Sequence, residues 1–571
     1  MNTVLSALIR ISGWLPKWQT DRDACHPARV QRRLLLRILR KNARTEYGRR
    51  YGFSALCGTK DFSTRVPIVE YSDIEADVDR IKQGQTDVLT AEPPLLFSLT
   101  SGTSSAPKFL PITHRGQRRT KRLMAKWFCM ALRDHPTLFS KGVFDMTGAA
   151  IEGYCECGIP YGSASGMIRA TLPDVMKRAF LTPPDVAEIV DYEVRYYAMA
   201  RFAYAQEISF VGTPNPLTLV KLAETGTRYA EELICCVRNG WFSESIRDNS
   251  EFVSAGVPLS LKMALRPDPA RAEFLEKIFA ETGTLKPVDC WPDLALIGCW
   301  LGGSIGFHAD ALTAAYGNVP RRDLGYMASE GSITLPFADA TPAGLLALRN
   351  HYYEFIPVEE CDSPLPTTFG AHELEKGGYY KILLTNENGL YRYDINDIVR
   401  VDGFHKRTPL ISFVRKSGAM TNIVGEKLHL NHLLVAIRNL QSDFALEIRQ
   451  FRAAADLSMQ RYDVFLDIQQ DLSVEFLRDT ILPALDESLC GCNIEYAAKR
   501  RSGRLHPPRI HLMTPEWERV AQLEHASFSK RDTQYKWIPL IPEKLAVDER
   551  CVKSTIESQC STALESPHDE V

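Results

Sequence analysis

The sequence predicts an α/β protein with a large N-terminal domain and a smaller α+β C-terminal domain, on three observations. Strand, loop and helix patterns follow one another twice between Ile208 and Tyr316, as a layered α/β core requires. Near residue 424 the pattern changes to alternating strands around a helix. The length of 571 residues, 45% hydrophobic and 24% charged, is enough for more than one substantial core in an ordinary globular chain.

Residues 1 to about 90 read as mainly helical, with Arg32-Arg-Leu-Leu-Leu-Arg-Ile-Leu39 supplying an apolar stripe. The first sixteen residues are mildly apolar but interrupted by Arg10, with no small-residue cleavage pattern, so they are expected to form a packed helix instead of a signal peptide. Pro94-Leu-Leu-Phe-Ser-Leu99 and Phe109-Leu-Pro-Ile112 read as two short buried strands around an exposed turn. Thr182-Pro-Pro-Asp185 looks like a helix start, and Val186, Ile189, Val190, Val194 and Tyr197 recur at helical spacing, predicting one continuous helix. Ile208-Ser-Phe-Val211 is a buried strand ending at Gly212-Thr-Pro-Asn-Pro216, with a helix from Leu217; the same order returns between Leu294 and Tyr316. In the C-terminal part, Tyr462, Val464, Leu466 and Ile468 alternate with Asp463 and Asp467 as a half-buried strand. A helix from Val474 to Leu482 and a strand near Arg509 to Met513 follow. The stretch from Val547 to Val571, rich in Ser, Glu and Asp, shows no apolar periodicity and is expected to be a frayed tail. The expected domains are therefore 1–423 and 424–546, with 547–571 as the tail.

Composition excludes several classes. With 68 basic and 70 acidic residues and a net charge of −2, the chain has no nucleic-acid-scale positive field, and Lys499-Arg-Arg-Ser-Gly-Arg504 reads as a solvated turn. No run of about eighteen apolar residues predicts a membrane span. Fourteen cysteines with no Cys-x-x-Cys pair argue against structural zinc, and suggest reduced thiols in a cytoplasmic protein. His429 and His432 stand at helical spacing and read as two polar residues on one face.

Chemistry concentrates in three segments. Phe97-Ser-Leu-Thr-Ser-Gly-Thr-Ser-Ser-Ala-Pro-Lys-Phe-Leu-Pro111 is a hydroxyl-rich turn. Its Thr100, Ser101, Gly102, Thr103 and Ser104 can turn hydroxyls and backbone N–H groups onto an anion, and Lys108 adds a positive charge. The Walker spacing, which suits attack at a terminal phosphate, is absent, and the signature instead resembles loops that serve attack on an α-phosphate. Leu324-Gly-Tyr-Met-Ala-Ser-Glu330 places Tyr326, a ring to stack on a base, four residues before Glu330, a carboxylate to hold Mg²⁺. Gly389-Leu-Tyr-Arg-Tyr-Asp-Ile-Asn-Asp-Ile-Val399 delivers Asp397, a natural acceptor for ribose hydroxyls.

In that order the segments resemble the plant auxin-responsive Gretchen Hagen three family of acyl acid amido synthetases, within the adenylate-forming superfamily. The resemblance starts at Val66-Pro-Ile-Val-Glu-Tyr-Ser-Asp-Ile74 and runs through Cys299-Trp-Leu-Gly-Gly-Ser304 and Tyr353-Glu-Phe-Ile-Pro357 to Gln534-Tyr-Lys536. It implies an adenylate-forming domain with mixed sheets and flanking helices, followed by a small mobile domain that turns on a hinge near Arg415 to Gly425. It further implies ATP and Mg²⁺ as cofactors, a carboxylic acid and an amine, such as an amino acid, as substrates, and neither nucleic acid nor membrane as a partner. Residue by residue, Ser101, Gly102, Thr103 and Lys108 resemble the β/γ-phosphate loop, and Gly302 and Gly303 the lining of the adenine edge. Tyr326 stacks near the base, Ser329 bonds the base or α-phosphate, Glu330 ligates Mg²⁺ and Asp397 holds the ribose. Arg415 and Lys427 approach the nucleotide from the hinge region, and Lys536 resembles the mobile-domain lysine that reaches the α-phosphate. Three positions depart from the pattern: Ser105 replaces a loop glycine, Ala328 a frequent serine and Asn396 the glycine of a Gly-Asp pair, although Asn tolerates the left-handed conformation such a turn needs. Two alternatives stand: thioester formation with CoA or a carrier protein, and a non-catalytic scaffold. The Arg195 to Asn215 region and the Trp300 neighbourhood are expected to line an apolar or aromatic acyl pocket.

Overall fold

The computed structural model describes residues 14–100, 108–146, 150–170, 180–189, 192–242, 261, 264–302, 309–361, 363–417, 420–424, 426, 428–528 and 537–558. The chain divides into two compact units, Met1–Val414 and Arg415–Val571, earlier than the break expected after residue 423.

The first unit opens with helices Trp14–Ala24, Pro27–Lys41, Glu46–Arg50, Thr59–Arg65 and Tyr71–Lys82. In Pro27–Lys41 the expected apolar stripe buries Leu34, Leu35, Ile38 and Leu39. Gln31, on the same face, donates to the carbonyls of Leu348 (2.7 Å) and His351 (2.8 Å), tying this helix to the six-stranded sheet.

Three sheets follow. Pro94–Thr100 lies between Lys108–Thr113, antiparallel to it, and Pro160–Gly162, parallel to it, with Gly153–Tyr154 at the edge. The second sheet runs Gly142–Asp145, Ile208–Gly212, Leu296–Gly298, Arg321–Arg322, all parallel. Ile208, Phe210 and Val211 are buried because a parallel strand is covered on both faces, which is why it reads as a continuous apolar run. The one hydroxyl in that run, Ser209, donates to Leu138 O (2.9 Å) and accepts from Lys141 N (3.0 Å), so its burial leaves no unmet bond. Helices Tyr192–Tyr204, Pro216–Arg228, Ala230–Asn239, Pro269–Thr282 and Ala309–Tyr316 contribute to the core around this sheet. The third sheet has six strands, ordered Thr334–Leu335, Gly344–Leu346, Thr408–Lys416, Tyr393–His405, Tyr379–Thr385, Tyr352–Pro357.

In the second unit five strands, ordered Leu540–Ile541, Ile448–Asp456, Arg461–Ile468, Arg509–Met513, Val552–Ile556, are accompanied by helices that include Leu430–Phe444 and Leu482–Cys492. His429 caps the first of these helices and His432 Nδ1 accepts its backbone N–H, which gives the pair a structural use.

Two expectations are corrected. The segment after Thr182 is not one helix: a 3₁₀ turn, Pro184–Glu188, ends at Ile189 in an extended conformation, and the α-helix starts at Tyr192. The stretch after Val547 is not wholly a tail: a helical turn Ala546–Arg550 is followed by Val552–Ile556, paired antiparallel with Arg509–Met513. Asp548 anchors this end, accepting from Arg452 and from Trp517 Nε1 (2.9 Å). Residues 559–571 lie outside the described residues.

Candidate active site

The hydroxyl-rich turn joins two antiparallel strands in which Thr100 pairs directly with Lys108, so both ends of the turn stand side by side. Ser101, Gly102, Thr103 and Ser104 lie outside the described residues, as do Gly303, Lys427 and Lys536. Lys108 Nζ sits 5.6 Å from the centroid of the Tyr71 ring, within cation–π range. The Tyr71 hydroxyl accepts the Phe109 backbone N–H (3.0 Å), which fixes the ring beside the lysine. Tyr71 begins the Tyr71–Lys82 helix, so the Val66 to Ile74 segment delivers the residue on which Lys108 rests.

That same segment supports the Asp397 strand. Val69 forms a parallel bridge with Tyr393, with Val69 N donating to Arg392 O (3.2 Å) and Asp394 N to Val69 O (2.8 Å). Arg392 is buried with φ +47°, and its Nε donates to both oxygens of Glu354 (3.1 Å each) while Nη1 reaches the Ser63 and Val66 carbonyls (2.8 Å each). Burial pushes the Glu354 carboxyl above its usual range, against the pull of Arg392. A left-handed backbone and an arginine satisfied this fully brace the run that carries Asp397.

A bulge then aims Asp397. Lys381 pairs with Ile398 and Leu383 with Asp394, so Ile395 to Asp397 stand opposite Ile382 alone. Asn396 takes φ +59°, the left-handed turn expected of it, and its N–H donates to Asp394 Oδ1 (2.7 Å). Asp394 Oδ2 accepts from Lys381 Nζ (3.0 Å). Asn396 faces solvent and Asp397 turns inward at 2% exposure, where it accepts a hydrogen bond from the Tyr326 hydroxyl.

Tyr326 and Glu330 share one hairpin. Met327–Ala328 pairs with Gly331–Ser332, leaving Ser329 and Glu330 as the two turn residues, both half-buried. Tyr326 is 9% exposed, its N–H donates to Thr334 Oγ1 (2.8 Å), and its ring lies 5.6 Å from that of Phe413. Burial first, then Asp397 and Glu330, push its phenol far above the usual range; burial and Glu330 do the same to Tyr393. The Glu330 carbonyl accepts from Asn386 Nδ2 (3.1 Å), and Gly331 passes so close to His351 that a Cβ there would lie 2.3 Å from Nε2. Burial lowers the His351 pKa to about 3, so the imidazole is neutral.

Sequence reasoning missed Asp323. It sits just past the C-terminal end of the Arg321–Arg322 strand, where ligand-binding loops of parallel sheets gather. Its Oδ2 accepts from Leu301 N and its Oδ1 from Gly325 N, both 2.7 Å. One carboxylate thus ties the loop carrying Gly302 to the turn before Tyr326, and Trp300 Nε1 donating to Gly325 O (3.1 Å) reinforces the link. Burial raises Asp323 from 3.8 to about 6 despite these two donors. Gly302 packs near Pro342 and the Phe413 carbonyl, leaving little room for a side chain. No local pattern marks Asp323, Tyr71 or Asn386, because each acts on a residue distant in sequence.

In the Arg195 to Asn215 region Tyr197 and Tyr204 are fully buried, and the Tyr204 hydroxyl donates to Leu285 O (2.8 Å). Arg415, first residue of the second unit, donates to the carbonyls of Lys416 (3.1 Å) and Ser417 (3.2 Å).

The structure therefore seats Asp397 on the Tyr326 hydroxyl, puts Glu330 in the turn of the hairpin that Tyr326 enters, and rests Lys108 on Tyr71. A cation at one end, a half-buried carboxylate in the middle and a buried carboxylate at the other suit a ligand with phosphate, metal-binding and hydroxyl parts.

Among curated proteins, the chain is 26% identical over 478 residues to a jasmonoyl-L-amino acid synthetase of Nicotiana attenuata, covering 79% of this chain and 81% of that one. It is 26% identical over 465 residues to an indole-3-acetic acid-amido synthetase of Arabidopsis thaliana, covering 72% and 74%. Among solved structures, the AtGH3.15 acyl acid amido synthetase in complex with 2,4-DB superposes with a TM-score of 0.81 at 20% identity, over 96% of this chain and 98% of that one. A 2-hydroxyisobutyryl-CoA ligase in complex with 2-HIB-AMP gives 0.52 at 13% identity, over 90% and 88%, and shares the fold. The GH3 family N-terminal, central and C-terminal domains match residues 19–321, 344–416 and 431–544, and the chain belongs to the GH3 family of acyl acid amido synthetases.

Proposed function

We propose that this protein uses ATP to activate a carboxylic acid as its acyl-adenylate and passes the acyl group to an amine, of which an amino acid is the leading candidate. The observation that carries this reading is the joint placement of Tyr326, Glu330 and Asp397, with Asp397 buried and held by the tyrosine hydroxyl. Membership of the family supports it.

In the first half-reaction a carboxylate oxygen of the acid forms a bond to the α-phosphorus of ATP, the bond to the bridging oxygen breaks, and pyrophosphate leaves. Such a reaction asks the protein chiefly for positioning and charge neutralisation. Lys108, with Thr100, Ser101, Gly102, Thr103 and Ser104, faces the β/γ-phosphates. Gly302 and Gly303 line the adenine, Ser329 bonds the base or the α-phosphate, and Asp397 accepts from the ribose hydroxyls. Tyr326 positions Asp397 through its hydroxyl, and its largely buried ring stacks near the base. Glu330 fits Mg²⁺ as the single carboxylate that such ions take alongside substrate phosphates, and the ion would supply charge neutralisation at the leaving pyrophosphate. Lys536 supplies positive charge at the α-phosphate, and Arg415 and Lys427 approach the nucleotide from the start of the second unit.

In the second half-reaction a neutral amine attacks the acyl carbonyl, AMP departs with the electrons of the acyl–oxygen bond, and the ammonium proton is lost to give the amide. The protein is assigned to the cytoplasm on its thiol content. Incubating the full chain with ATP, an acid and either amino acids or CoA, then weighing the products, tests the acceptor: an amide supports the reading, whereas a thioester alone transfers it to a CoA ligase.

A further inference from the structure

A cavity of about 390 Å³ opens in the first unit. Its lining shares no residue with the site described above. One wall is helix His114–Asp134, which presents Arg115, Arg118, Arg119, Arg122 and Lys126 at spacings of three and four residues. Arg37 and Arg349 complete the wall from other elements, and the lining itself includes two carboxylates, Asp23 and Glu387. Both carboxylates are already used: Asp23 holds Arg349, and Glu387 holds Arg119 at 2.6 Å. Arg115 leans on Glu92, 3.3 Å away, and Lys126 donates to Thr20 Oγ1 (3.2 Å). Among the described residues no ion pair engages Arg37, Arg118 or Arg122.

This arrangement works against the helix that carries it. Like charges three or four residues apart destabilise a helix, and cations near an N-terminus oppose the helix dipole. The first turn has no acidic residue to relieve them. Burial and the neighbouring Arg119 hold the Arg37 guanidinium below its usual pKa, and burial does the same to the Lys126 ammonium. Local conflict of this kind, concentrated on a concave surface in a chain whose net charge is only −2, is the mark of a missing counter-charge.

We infer that this cavity is a binding site for a small, multiply charged phosphate compound, separate from the nucleotide site. Its volume suits a ligand carrying several phosphates, and arginines provide the forked donors such groups take. The inference does not rest on the proposed ligase reaction.

Two probes test it on the full-length protein: inositol hexakisphosphate and inorganic tripolyphosphate, titrated calorimetrically at 150 mM salt. The expected result is one-to-one binding of at least one probe, weakened at least tenfold by Arg118→Glu with Arg122→Glu. The same binding should persist in Glu330→Gln, and the stronger probe distinguishes a cyclic polyol phosphate from a linear chain. Both arginines are exposed, so the fold should survive, and the less drastic Arg37→Gln should weaken binding in the same direction. The inference is overturned if neither probe binds, if the charge reversals leave affinity unchanged, or if Glu330→Gln abolishes the same binding.

Discussion

Replacing Asp323 by alanine should loosen two parts of the nucleotide site at once. The carboxylate holds Leu301 N and Gly325 N at 2.7 Å each. Leaving a buried donor unsatisfied costs about 1–3 kcal/mol, so with two donors Asp323→Ala should lose about 2–6 kcal/mol in all. Urea unfolding followed by tryptophan fluorescence reads the loss, with Trp127 and Trp300 both bonded to this region. The same variant should require more ATP in pyrophosphate exchange, because the Gly302 loop and the Tyr326 turn lose their common tie. Asp323→Asn adds a pH signature. The folded carboxyl is raised from 3.8 to about 6, so the native state binds its proton more tightly than the unfolded chain does. This group's contribution is full below about pH 4 and is lost as pH rises to about 6, by about 3 kcal/mol. The penalty of the asparagine variant relative to the parent should therefore shrink by that order between pH 4 and pH 7. A loss below about 1 kcal/mol in Asp323→Ala, with ATP dependence unchanged, would refute the bridging role.

Other substitutions test neighbouring joints. Gly331→Ala would push a methyl into His351 and should cost about 1–3 kcal/mol; His351→Ala in the same chain should restore much of it, and a purely additive double variant would deny the contact. Asn396→Val should lose about 1–2 kcal/mol and impair exchange because a β-branched residue resists φ +59°, whereas Asn396→Gly should be tolerated; equal behaviour of the two would remove the case that this bulge aims Asp397. Lys536→Ala should cripple acyl-adenylate formation yet still convert chemically supplied acyl-adenylate to amide; equal loss in both half-reactions would end that division of labour.

Much of the site was legible because its parts are local. The hydroxyl turn lies between two strands whose apolar alternation marks their ends, and Asn396 adopts the positive φ that its small polar side chain tolerates. The supports were not legible. Tyr71 meets Lys108 and Asp323 meets Leu301 only after sheets and helices have folded together. The break after Glu188 escaped notice because the apolar spacing of Val186, Ile189 and Val194 runs across it. Val552–Ile556 was mistaken for tail because an edge strand needs few apolar residues, and composition outweighed its alternation. The basic face of the Arg115 to Lys126 segment was hidden by a balanced total charge, since acids elsewhere cancel it in a sum but not in space.

The central claim, that Tyr326, Glu330 and Asp397 build one ATP site for activating an acid, is tested most directly by exchange of labelled pyrophosphate into ATP against a panel of carboxylic acids. Run with the parent chain and Asp397→Ala, it should show exchange only when a suitable acid is present. The variant's half-saturating ATP concentration should rise by a factor equivalent to about 1–3 kcal/mol. Exchange that needs no acid, or an ATP dependence identical in the two proteins, would contradict the account.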